Sequence, residues 1–177
     1  MARKRIKKAY LYGPIEFTSD PDLSWRYIVE ELLKPLGIEC INPVKVSYLV
    51  GKTIEDNARY ARMLKRERKW RKFDKFMARI WGQNQKGVDP ADVLICWVSN
   101  LKELRNLNAS GGSYRELLSG EQGGKLLFLI CEVGLQYANS HLLDIIRSNG
   151  AIFKNVSGLV KCLRHYNKTG KWRYPAK

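Results

Sequence analysis

The residue types best suited to chemistry lie in one stretch, Asn108 to Lys125, which reads Asn-Ala-Ser-Gly-Gly-Ser-Tyr-Arg-Glu-Leu-Leu-Ser-Gly-Glu-Gln-Gly-Gly-Lys. It joins two apolar runs, Asp92 to Val98 and Leu126 to Cys131, each with the length and composition of a central strand covered on both faces. Gly111 and Gly112 permit a tight turn with close backbone approach to a ligand, and Ser113 can cap a helix with Glu116 in its first turn. Two chemistries fit that glutamate. As Ser113-x-x-Glu116 it is a capping box, the serine oxygen accepting a forward amide and the carboxylate a backward one. Alternatively the amides and hydroxyls of Ser110 to Ser113 hold an anion or a sugar, and Glu116 faces the pocket as a nucleophile kept ionised by the helix dipole.

The rest of the chain must position this stretch. Ala9 to Tyr12 reads as a first strand, ended by Gly13-Pro14, and Phe17 to Leu23 as a turn. Trp25, Ile28, Val29, Leu32, Leu33 and Leu36 recur at helical spacing, Pro35 and Gly37 close that helix, and Ile38 to Asn42 makes a second strand. Strand, helix and strand at this length form a right-handed crossover unit of a parallel sheet. Thr53 to Trp81 is helical and strongly charged, with ten basic residues against two acids between Arg59 and Arg79 and a break within Lys65 to Lys69. Within it Trp70, Phe73, Met77 and Ile80 repeat at helical spacing, a pattern of core packing more than of base stacking. Gly87 to Pro90 reads as a turn, Ala91 to Val98 as strand three and Leu126 to Cys131 as strand four. A short helix at His141 to Arg147, a fifth strand at Ala151 to Lys154 and a final helix at Val156 to His165 follow.

The expected fold is therefore α/β, a doubly wound, mainly parallel five-stranded sheet of flavodoxin or Rossmann type, with the long basic helical segment between strands two and three. It forms one domain over residues 1–177, with a basic lead-in at 1–8 and a basic tail at 167–177 that is either disordered or docked on a neighbour. Ligands of such sheets sit beyond the carboxyl ends of the strands, here the loops Gly13 to Phe17 and Asn100 to Gly112.

Composition narrows the partners. The net charge of +15 calls for nucleotides, nucleic acid or an anionic surface, unless it serves only solubility. Cys40, Cys96, Cys131 and Cys162 are far apart, His141 and His165 are the two histidines, and no metal-ligand spacing appears, so no metal or cofactor is expected. The longest apolar runs are strand-length and the opening Met-Ala-Arg-Lys-Arg lacks the apolar core of a signal peptide, so a soluble, cytoplasmic protein is expected.

Four motifs in this order carry a resemblance: Tyr10-Leu-Tyr-Gly-Pro-Ile15, Asn42-Pro43, Ala91-Asp-Val-Leu-Ile95 and Gly112-Ser-x-x-Glu-Leu117. Together they resemble the nucleoside 2-deoxyribosyltransferase-like superfamily, which also contains 2'-deoxynucleoside 5'-monophosphate N-hydrolases. The resemblance implies cleavage or exchange of the N-glycosidic bond of a deoxynucleoside or its 5'-monophosphate. It makes Glu116 the nucleophile, Asp92 the aspartate assisting at base or sugar, and Tyr10, with Tyr12 as the alternative, a tyrosine near the glutamate. Tyr12, Gly13, Pro14, Ile15, Ser110, Gly111, Gly112 and Ser113 line the sugar or phosphate pocket, and a homo-oligomer completing the site is implied. Leu118-Ser119-Gly120 departs from the Gly-x-Ala that follows the glutamate in the family, and the basic segment is enlarged. A reading of another class keeps the fold without turnover, as a nucleotide-sensing or nucleic-acid-binding module that uses Arg59 to Arg79.

Overall fold

The computed structural model describes residues 5–13, 20–46, 50 and 54–172. Five strands, β1 (Lys8–Leu11), β2 (Glu39–Ile41), β3 (Val93–Val98), β4 (Leu126–Cys131) and β5 (Gly150–Phe153), form one sheet in the order β2-β1-β3-β4-β5. Every pairing is parallel, and Tyr10 lies in register with Ile41 on one side and Leu94 on the other. The central strands are apolar and buried along nearly their whole length, as a sheet sandwiched between helix layers requires. Strand order reverses between β1 and β3, and that reversal fixes where a doubly wound sheet opens a crevice.

Among the described residues eight α-helices pack around the strands: α1 (Asp20–Leu33), α2 (Pro43–Val46), α3 (Ile54–Arg66), α4 (Trp70–Val88), α5 (Leu101–Ala109), α6 (Gly111–Gln122), α7 (Ser140–Ser148) and α8 (Val156–Thr169). Right-handed crossovers place α1 and α8 together on one face of the sheet and α4, α6 and α7 in contact on the other. The main core is the sheet with the inner faces of these helices. A satellite core of Ala61, Leu64 and Phe76, with Tyr60, Phe73, Met77 and Ile80 around it, joins α3 to the first half of α4. The break between them falls at Glu67 to Lys69, where Arg68 adopts a left-handed φ of 54°, inside the stretch the sequence marks for it.

Several expectations need correction. Ile28 and Leu32, assigned to the buried face of α1, are 47% and 38% exposed, while Arg26 is fully buried. The inner face of α1 instead follows Trp25, Arg26, Val29 and Leu33. Gly87 does not begin a turn; α4 runs on to Val88. The span Asn100 to Gly112 is mostly helix, because Asn100 caps α5 by accepting the Glu103 amide at 3.0 Å while the Glu103 carboxylate accepts the Ser99 amide. The start of the tail docks on its own chain: Trp172 stacks on Tyr166 at 3.8 Å and meets the edge of Phe128 at 5.6 Å. Of the turn read at Phe17 to Leu23, Asp20 to Leu23 are instead the first turn of α1, where Pro21 is tolerated, while residues 17–19 lie outside the described residues, as do Thr53, residues 1–4 of the lead-in and 173–177 of the tail.

Two glycines of α4 predict opposite signs for one substitution. A Cβ on Gly87 would stand 2.7 Å from Cε2 of the buried Tyr10 ring and 3.1 Å from Ile41, whereas a Cβ on Gly82 would meet nothing within 4 Å. Alanine gains about 1 kcal/mol of helix propensity at either position, and overpacking costs about 1–3 kcal/mol only at the first. Gly82→Ala is expected to raise the urea midpoint and Gly87→Ala to lower it, read from equilibrium unfolding curves.

Candidate active site

At the reversal between β1 and β3 two helices lie close on the sheet. Gly87 brings α4 down onto the ring of Tyr10, and Gly120 does the same for α6, where a Cβ would stand 2.7 Å from Leu94. Glu116 lies one turn before Gly120 on the buried face of α6, which runs Ser113, Glu116, Leu117, Gly120. Asn84 precedes Gly87 by three residues on α4. The glycines thus set the height of both helices over the sheet, and the polar residues one turn earlier converge at the strand end. Across the α4–α6 seam the Ser119 hydroxyl donates to Gln85 Oε1 at 2.9 Å, and Arg115 lies over the Trp81 ring at 4.5 Å.

At the convergence Glu116 is only 3% exposed. Its Oε1 accepts the Tyr10 hydroxyl at 2.9 Å and the Asn84 side-chain amide at 2.8 Å. Burial pushes its carboxyl up to about 7, against the opposing pull of the Tyr10 bond, the Arg26 charge, a Gly13 backbone bond and the Asn84 bond. Burial therefore outweighs every partner. The helix dipole does not hold Glu116 ionised: Ser110, not Ser113, is the N-cap of α6, so the glutamate sits in the second turn, where the dipole has faded. The same placement removes the capping-box reading, since the forward amide accepted by Ser110 belongs to Ser113, at 3.2 Å, and the carboxylate points to Tyr10. The Tyr10 hydroxyl, raised by burial and by the neighbouring carboxylate, stays protonated and remains a donor.

Arg26 carries the other charge. Its Nε donates to the Leu11 carbonyl at 3.4 Å and its Nη2 to the Gly13 carbonyl at 3.2 Å, and the guanidinium lies over the Trp25 ring at 4.5 Å. Nη1 is buried without a hydrogen-bond partner, and so is the Tyr12 hydroxyl two residues beyond Tyr10. A cation taken out of water costs several kcal/mol unless compensated. Here two carbonyls of the β1 end, one aromatic face and the Glu116 charge compensate it. Arg26 ties down the backbone that in turn bonds Glu116, which makes it a positioning residue.

The remaining sequence candidates divide. Tyr10, Glu116 and the Gly13 backbone come together, with Tyr12 at the same strand end. Ser110 and Ser113 begin α6, their hydroxyls 2.9 Å apart, and Gly111 and Gly112 form its exposed first turn instead of a loop between strand and helix. Pro14 and Ile15 lie outside the described residues. Asp92 is not brought to the crevice. It precedes β3 at the amino edge of the sheet, and its Oδ2 accepts the amides of Lys7 and Lys8 at 2.8 and 3.1 Å. The ligand-binding edge of a parallel sheet is the other one, so Asp92 clamps the start of β1 to β3. Sequence reasoning missed Asn84 and Arg26. The signal for Asn84 was its spacing from Gly87 along one helix; Arg26, a charge on an otherwise apolar face, gave none.

Among the described residues no cluster of His, Cys, Asp or Glu could hold a metal, and no helix is long and apolar enough to cross a membrane. Cys96, Cys131 and Cys162 are buried and Cys40 is half-buried.

The sheet order and the helix layers on both faces define a doubly wound α/β fold. A 2-deoxyribosyltransferase from the psychrotolerant bacterium Bacillus psychrosaccharolyticus shares that fold, superposing on 96% of this chain and 99% of its own with a TM-score of 0.59 and 17% identity. A Clostridium botulinum CMP N-glycosidase aligns over 90% of this chain and 99% of its own, with a TM-score of 0.49 and 13% identity. No protein-family model and no curated protein sequence matches the chain.

The buried carboxyl predicts a specific stability profile. Its folded pKa, about 7, lies above the ordinary 4.5, so the folded state binds the proton more tightly. The stability this one group contributes is fully present below pH 4.5 and is lost as pH rises through about 7. A shift of that size corresponds to about 3 kcal/mol. Glu116→Gln, a neutral isostere, is expected to match the wild type in acid and to exceed it by up to that amount above pH 7. Denaturant unfolding of both proteins across pH 4–8 reads this directly, and a gap that stays constant with pH rules the profile out.

Proposed function

We propose that this chain cleaves or exchanges the N-glycosidic bond of a 2'-deoxynucleoside or its 5'-monophosphate, with Glu116 as nucleophile. The observation that carries the reading is the Glu116 carboxylate itself, buried at the strand-order reversal with Tyr10 and Asn84 both bonded to Oε1. Two side-chain bonds to Oε1, with the Gly13 backbone bond, orient the carboxylate, and in this reading Oε2 meets the electrophilic carbon. The fold shared with a 2-deoxyribosyltransferase supports the same class of substrate.

In this reading Oε2 attacks C1' as the C1'–N bond breaks through an oxocarbenium-like transition state, and the base departs with the bond's electron pair and takes up a proton. The glycosyl ester is then opened at C1' by water, giving hydrolysis, or by a ring nitrogen of a second base, giving transfer. Tyr10 and Asn84 hold Oε1 and spread the carboxylate charge as it regenerates. Asp92, on the opposite edge, takes no part. The net charge of +15 favours a phosphorylated substrate over a neutral nucleoside.

Chromatographic release of free base from a panel of deoxynucleosides and their 5'-monophosphates, with and without an acceptor base, tests the proposal. Wild type is expected to release base, Glu116→Ala to lose at least about a thousandfold in rate, and acceptor dependence to distinguish transfer from hydrolysis. Absence of release from every substrate by the folded wild type overturns the reading.

The ionisation of Glu116 gives a second check. Attack requires the carboxylate, so kcat/KM is expected to rise with pH and level off above about 7. Tyr10→Phe removes a bond that favours the ionised form, and the rising limb should move to higher pH by about one unit. A limb that stays in place in this variant would separate Tyr10 from the ionisation of the nucleophile.

A further inference from the structure

We propose that Arg115, held against Trp81, anchors the 5'-phosphate of the substrate and so selects a 2'-deoxynucleoside 5'-monophosphate over the free nucleoside. The inference rests on the reading of Glu116 as the group that meets C1'. Arg115 directly precedes Glu116 on α6, about 100° around the helix, so it turns toward α4 while Glu116 turns toward the sheet. Its guanidinium lies over the Trp81 ring, 4.5 Å from the centroid. Among the described residues that ring is its only partner, and the arginine is exposed. A guanidinium stacked by its face keeps its in-plane N–H fork free, the arrangement that takes two oxygens of a phosphate at once. Of the two tryptophans of α4, Trp70, expected in the core, is instead 54% exposed at the start of the helix. Trp81, half-buried, is the one that faces α6.

Position narrows the ligand. α4 ends just before β3 and α6 just before β4, so both helices run against the strands and their earlier residues lie nearer the carboxyl edge of the sheet. Contacts across the seam step in order, Trp81 with Arg115, Asn84 with Glu116 and Gln85 with Ser119. Helical side chains also lean toward the helix start. The Arg115–Trp81 pair therefore stands beside Glu116 on the side from which a ligand of a doubly wound sheet arrives. With C1' at Glu116, the phosphate lies roughly 5 Å away, the length of one helical turn. A long side chain rooted next to the glutamate spans that gap. The field of a +15 chain draws any anion. What Arg115 adds is a fork at a fixed place, and the phosphate is the one anionic group of such a substrate.

Calorimetric titration of Glu116→Gln with the common 2'-deoxynucleosides, each against its own 5'-monophosphate at fixed ionic strength, reads binding without turnover. In this background Arg115→Gln is expected to cut the preference for the monophosphate about thirtyfold. Arg115→Lys keeps the charge without the fork and should cut it about fivefold. Trp81→Leu should cut it about threefold, with Trp81→Phe restoring it. Lys161→Gln removes one charge from the exposed side of α8, on the other face of the sheet, and should leave the preference intact. Arg115 is exposed and glutamine is a good helix former, so circular dichroism should report an unchanged fold.

An unchanged preference in Arg115→Gln overturns the proposal. So does an equal loss of affinity for nucleoside and monophosphate, the mark of a merely structural contact, or an equal effect of Lys161→Gln, the mark of the general field. Failure of the monophosphates to bind Glu116→Gln overturns it whatever the turnover result. A wild type that releases no base while the Arg115-dependent preference persists sinks the proposed reaction and leaves the anchor standing.

Discussion

A carboxylate removed from water must be given partners or a proton, and the organisation of this molecule follows from how Glu116 is given both. Its two side-chain partners come from different elements, Tyr10 from the second strand of the sheet and Asn84 from a helix that precedes it by 32 residues. Neither could reach it unless α4 and α6 lay unusually close to the sheet. That closeness depends on the missing side chains of Gly87 and Gly120, each of which leaves room for a ring or a leucine within 2.7 Å of where its Cβ would be. Two absent methyl groups thereby fix the geometry around Glu116 some distance along each helix.

Arg26 shows the same logic with the opposite sign. It is fully buried, and among the described residues main-chain carbonyls and an indole face hold it. Its field reaches Glu116 and favours the ionised form, yet burial still dominates and leaves the acid near 7. The result is a group poised to exchange its proton near neutrality, held by a frame rigid enough to fix its orientation.

Much of this frame was legible in the chain. β4 falls on the apolar run Leu126 to Cys131 because a strand buried on both faces leaves a continuous signature. Glu116 and Tyr10 were singled out because motif order tied them to one fold, and the structure brings the two side chains together. The failures share one cause, that a linear pattern does not record what lies opposite. Gly87 looked like a breaker, although tertiary contact needs a small residue in mid-helix there. Asp92 looked like the head of an apolar strand at a working edge, although parallel strands put that position at the far edge. Arg26 was passed over because spacing alone favours Ile28 and Leu32 as the inner residues of α1, and only the packed structure reveals which side is covered.

The helix α4 belongs to two cores at once. Its second half lies on the sheet beside Tyr10, whereas its first half is held by the small cluster of Ala61, Leu64 and Phe76 and carries closely spaced like charges. Self-repulsion and a small buried area make the outer hairpin a separate cooperative unit, able to open while the sheet remains folded. Amide hydrogens near residues 59–75 would then exchange through a local opening, and those of residues 84–88 only with the main core. Counterions become part of the hairpin's own folding equilibrium: raising ionic strength tightens it, without any change in the contacts that hold Glu116.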